Sequence, residues 1–112
     1  MIELETALPQ GDILIESIEA LPEGISEVLC AGPHHVVAHS ETGHHHLVER
    51  TAARLMKGED PFVCYLVAEG KYADIVHHRP GNNPHETVRF GGCVRSTRQR
   101  EGTPEGLRQV ND

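Results

Sequence analysis

The sequence predicts an all-β fold, a small sandwich or barrel built from a single domain over residues 1–112. Three observations carry that prediction. Apolar and polar residues alternate in short runs, the runs recur at intervals of about 8–12 residues, and Gly-, Pro- and Asn-rich breaks separate them. A chain of 112 residues can bury enough surface to fold without staples. With 38% hydrophobic residues and no Trp, its core must rest on Ile, Val and Leu plus Phe62, Tyr65, Tyr72 and Phe90. A core that small invites help from a metal ion or a second subunit.

Taken in order, residues 1–10 read as an irregular lead-in. Gly11 opens a strand over 12–18, and Leu21-Pro22-Glu23-Gly24 is a turn. A short strand over 27–30 is broken by Gly32-Pro33, and 36–39 reads as the next. Thr42-Gly43 bends the chain into a further extended run over 44–48. Residues 49–57 fit two states. Val48, Ala52, Leu55 and Met56 keep helical spacing with Gly58 as the stop, which favours a short helix or irregular stretch; a strand continuing from the histidines is the alternative. A helix there would turn the architecture into a mixed α+β sheet. The run Phe62–Ala68 is nearly all apolar and too short for a typical helix, which predicts a central strand. Strands over 73–77, 85–90 and 93–98 follow, divided by the turn-forming stretch 79–84 and by Gly91-Gly92. In the tail, Thr103-Pro104 suits one turn of helix.

Charge narrows the partners. Seventeen acids face ten Lys and Arg, for a net charge of −7. Such a chain is a poor general binder of nucleic acid, because phosphate contact needs cationic surface. The one basic series, Arg89, Arg95, Arg98 and Arg100, reads as the solvated face of a strand. No apolar run approaches the ~18 residues of a membrane span, and no secretory leader is recognisable, so the expected setting is the cytoplasm. Cys30, Cys64 and Cys93 lack metal-motif or disulfide spacing. They are expected as reduced structural thiols, with a metal thiolate as the lesser reading.

The nine histidines are the compositional anomaly: His34, His35, His39, His44, His45, His46, His77, His78 and His85. Protonating all of them would reverse the sign of the net charge, so solubility and assembly should respond to pH near 6. Within them, His44-x-His46 is the chemically pointed pattern. Residues two apart on a strand face one way, so both imidazoles can meet one ion while His45 points elsewhere. Glu49 follows as a carboxylate and His85 opens a later strand. Together His44, His46, His85 and Glu49 form a candidate facial ligand set with open positions for zinc, iron, manganese or nickel. Glu41 is a further ligand or a carboxylate that fixes an imidazole tautomer, and either His77 or His78 is an alternative third ligand. The competing reading of all these side chains is surface or hydrogen-bonded histidine. No Ser-His-Asp pattern and no glycine-rich phosphate cradle is present.

At these residues the chain resembles the cupin superfamily over about residues 32–95. His44-x-His46 with Glu49 resembles the first cupin motif, with Glu49 arriving early, and Pro80-Gly81-x-x-x-His85 resembles the second. The resemblance implies a jelly-roll barrel holding a divalent transition metal. The chain is also similar to small bacterial and prophage proteins that carry no assigned activity. That similarity rests on Gly11-Asp12-Ile13-Leu14-Ile15, on Glu41-Thr42-Gly43-His44-x-His46, and on Arg98–Glu101 with its Thr-Pro-Glu-Gly tail. It implies a bacterial or phage source. Three functional expectations result. One is a small cupin-like metal-binding protein, whose ion, if catalytic, would act as a Lewis acid or as a platform for oxygen or an enolate-like substrate. Another is a non-enzymatic accessory protein that binds a host protein. The third is a pH-responsive assembly. A homo-oligomer fits all three, because small sheets leave edges to cover.

Overall fold

The computed structural model describes residues 1–38, 45–78 and 87–99. Among them the chain forms strands and no helix, as an all-β reading requires. The strands are β1 (Ile2–Glu3), β2 (Ala7–Gln10), β3 (Ile13–Ile18), β4 (Ser26–Val28), β5 (His34–Ala38), β6 (His45–Glu49), β7 (Ala53–Lys57), β8 (Val63–Ala68), β9 (Ala73–His78), β10 (Val88–Phe90) and β11 (Cys93–Arg98). They assemble into two sheets. One has five strands in the order β1-β10-β9-β6-β5, the other six in the order β2-β3-β11-β8-β7-β4. All pairings are antiparallel except β1 with β10.

Period-two alternation builds the core. Val48 on β6, Ile75 on β9 and Val88 and Phe90 on β10 face inward from the first sheet. Ile13 and Ile15 on β3, Leu55 on β7, Leu66 on β8 and Val94 on β11 do so from the second, and all join one buried cluster. Burying each such side chain contributes roughly 1.5–3 kcal/mol, and this interdigitation holds the sheets face to face. The apolar run 62–68 becomes β8, between β11 and β7, where both edges are paired.

Two expectations are corrected. Residues 53–57 form strand β7 rather than a helix, pairing with both β8 and β4. The lead-in is not irregular: it holds β1 and β2. β2 sits at a sheet edge, where Pro9 is tolerated because no outer strand needs its missing N–H. The predicted helical turn at 103–106 lies outside the described residues.

Two arginines of the basic series, Arg89 and Arg95, are paired across strands, and Arg100 lies outside the described residues. Arg95 lies opposite Glu16 and bonds it at 2.9 Å, and Arg89 lies opposite Asp74 and bonds it at 2.9 Å. Such part-exposed pairs contribute little. Arg95→Gln is expected to lower stability by less than about 1 kcal/mol, measured by urea denaturation. No helix among the described residues is long and apolar enough to cross a membrane.

Candidate functional site

His46 is the centre of the site. It occupies an inward position of β6 and is fully buried. Its register partner on β9 is His77, also buried. Directly opposed residues of an antiparallel pair share a face, so the two imidazoles meet, stacked with centroids 4.3 Å apart and planes 8° from parallel.

The opposite sheet closes over them with three consecutive residues. β2 and β3 form a hairpin in which Gln10 pairs with Ile13, leaving Gly11-Asp12 as a two-residue loop. Gly in the first loop position suits the primed turns that such hairpins need, and Gly11 has φ +59°. It also sits against the rings: a Cβ there would lie 2.6 Å from His77 Cε1 and 3.2 Å from His46 Cε1. On one side of Gly11, the buried Gln10 places Oε1 2.7 Å from His46 Nδ1. On the other, Asp12 places Oδ1 2.8 Å from His46 Nε2. Asp12 Oδ2 lies 3.5 Å from Arg98 Nε.

This geometry settles the protons. Gln10 Nε2 donates to the carbonyl of Ile75 at 2.8 Å, so its oxygen must face His46. Oxygen only accepts, so His46 Nδ1 carries a hydrogen. Nε2 is then the nitrogen whose state varies, and it faces a carboxylate. Burial pushes the His46 pKa below its ordinary value, opposed by the hydrogen bond to Asp12 and assisted by neighbouring His77 and Arg98. Burial is the largest of these effects and governs the direction.

The sequence-derived ligands divide accordingly. His44, His85 and Glu41 lie outside the described residues. Glu49 is a correction. It stands three positions from His46, an odd number, so it projects from the other face of β6 and is exposed. The carboxylate that reaches His46 is Asp12, from the other sheet. His77 does stand beside His46, but as a stacked ring. Imidazole lone pairs lie in the ring plane, and two nearly parallel planes do not converge on one ion. His78 ends β9 opposite His45. Among the described residues no group of three or more His, Cys, Asp or Glu is placed to hold a metal ion. What the described residues supply is a pair of adjacent donors, His46 Nε2 and Asp12 Oδ1. Imidazole and carboxylate are the donor types favoured by zinc, iron, manganese and nickel, and Gln10 is the kind of partner that fixes a liganding tautomer. By donor type the pair matches these metals, and its 2.8 Å spacing is that of a hydrogen bond.

Gln10, Gly11, Asp12 and Arg98 were not sequence-predicted members of the site. Their one sequence signal is the Gly-Asp step ahead of an alternating run. All three cysteines are free; Cys64 is buried, and burial raises its pKa to about 11, which keeps it protonated, while Cys30 and Cys93 are half-buried.

A family model described as a domain of unknown function (DUF8820) matches residues 9–99, a span that includes every residue of this site. No curated protein and no solved structure matches the chain.

Proposed function

Because the chain belongs to the DUF8820 family, to which no function is assigned, we propose from the site alone that it is a small, cupin-like metal-binding protein centred on His46. The observation that carries this reading is the fixed tautomer. Gln10, itself oriented by Ile75, holds Nδ1–H and leaves Nε2 directed at the Asp12 carboxylate. At 2.8 Å a proton satisfies both lone pairs, and a divalent cation would take its place with the two donors drawn apart to metal-ligand distances. His46 and Asp12 would be two of the ligands. His44 and His85 are proposed from the sequence as the others, and a divalent transition metal as the ion. The bound ion would supply Lewis acidity or a ligand platform. The chain's own part is to hold one imidazole nitrogen and one carboxylate in a buried, oriented pair.

Elemental analysis of the untagged full chain, after exposure to zinc, iron, manganese and nickel and then dialysis, tests the reading. About one ion per chain is expected. His46→Gln, checked for folding by circular dichroism, is expected to lose it. Glu49→Gln is expected to keep it, because that residue faces away. Gln10→Leu is expected to weaken binding by roughly 10–100-fold through the lost tautomer control. No ion in the folded wild-type chain, or equal loading in folded His46→Gln, would sink the proposal.

A further inference from the structure

The end of the sandwich that carries His46 also holds a cleft between the two sheets. Its volume is about 180 Å³, and Val37, Lys57, Phe62, Cys64, Ser96 and Arg98 are among its lining residues. Strand ends place them there. β7 ends at Lys57, β8 begins at Val63 and β11 ends at Arg98, side by side in one sheet. Val37 comes from the other sheet, and Cys64 Sγ donates to its carbonyl at 3.7 Å. Among the described residues the lining contains two cations and no carboxylate.

We propose that this cleft binds a small organic carboxylate, with Arg98 and Lys57 receiving its anionic head and the apolar wall receiving its tail. Charge supports the head. Arg98 turns Nε toward Asp12 at 3.5 Å, which orients a planar fork whose geometry matches a carboxylate. Lys57 adds a second positive charge that acts on Cys64. The floor adds no competing anion, because the buried Cys64 thiol stays protonated and Ser96, hydrogen-bonded to it, is neutral. Val37, Phe62 and Val63 supply the apolar wall. Size sets the class. At about 180 Å³ the cleft is smaller than the roughly 300–1,000 Å³ of drug-sized sites, so the ligand has few heavy atoms.

This inference goes beyond metal binding and does not depend on it, so its test uses chelator-stripped full-length protein. Amide resonances are followed by NMR while butyrate, inorganic phosphate or butanol is added. Butyrate is expected to give saturable shifts at Val37, Phe62, Cys64 and Ser96. Arg98→Gln and Lys57→Gln are each expected to weaken it by roughly tenfold, the loss of one charged hydrogen bond. Absence of saturable butyrate shifts would overturn the proposal, as would unchanged affinity in both variants. Butanol binding as tightly would remove the role of charge, and phosphate binding as tightly would remove the role of the tail. Either outcome overturns the assignment as a carboxylate site. A failed metal test leaves this result standing, because no ion is present in it.

Discussion

Gly11→Ala is expected to cost about 2–4 kcal/mol of stability, far more than a glycine-to-alanine change at an ordinary turn. Two penalties combine. Gly11 has φ +59°, a left-handed conformation that costs a residue with a Cβ roughly 1–2 kcal/mol. The new methyl would also arrive 2.6 Å from His77 Cε1. That atom belongs to a buried ring stacked on His46, whose two nitrogens are held by Gln10 and Asp12. The obstruction is therefore a packed unit rather than a free side-chain end, and overpacking such a site typically costs ~1–3 kcal/mol. Gly24 supplies the control. Its φ is +80°, but nothing lies within 4 Å of a Cβ placed there. Gly24→Ala should therefore show only the backbone penalty of roughly 1–2 kcal/mol. Urea denaturation of both variants measures the difference. Equal costs would mean that the histidine stack yields freely, and that Gly11 is a turn residue and nothing more.

How far the sequence foretold this arrangement depends on whether the information was local. β3 and β11 were legible, since Ile13 and Ile15, then Val94 and Ser96 bury alternate positions within single strands, and β8 was legible as an apolar run too short for a helix. β7 was not, because Leu55 and Met56 are neighbours and both are buried. Leu55 enters the core, while Met56 is covered on the other face by its cross-strand neighbours Glu27 and Tyr65. Two adjacent apolar residues erase the period of two and leave one that fits a helix. β1 and β2 escaped because one spans only Ile2–Glu3 and the other carries Pro9.

The site divides along the same line. His46 was legible, since the spacing of His44-x-His46 already selects one face of a strand. Its partners were not. Gln10 and Asp12 are 36 and 34 residues away in sequence, and among the described residues no strand pairing links their sheet to that of His46. They meet across the packing of two sheets, which period-two reading cannot see. Glu49 was chosen for its closeness in sequence, where parity along the strand was the deciding variable.

The second large effect is expected at Gln10, where one side chain satisfies two buried groups. Gln10→Leu should cost about 2–4 kcal/mol, since it leaves both the His46 Nδ1–H and the Ile75 carbonyl without their partner. Each orphaned buried group costs roughly 1–3 kcal/mol, and leucine restores the lost volume but neither bond. His46→Leu on its own removes the imidazole from Gln10 Oε1 and from Asp12, which keeps Arg98 as a charged neighbour. In the double variant the imidazole and the amide are gone together, so the penalty for separating them is not incurred twice. The cycle should therefore be non-additive, with the double variant more stable than the sum predicts by about 0.5–3 kcal/mol. Additive costs would show that Gln10 does not hold the imidazole in solution, and the fixed tautomer on which the metal reading stands would fall with it. A positive coupling energy shows that Gln10 holds the imidazole by its Nδ1–H in solution, as any buried ring N–H requires. It is the condition on which the metal reading stands, and the ion content of the chain then separates a hydrogen-bonded core histidine from a ligand.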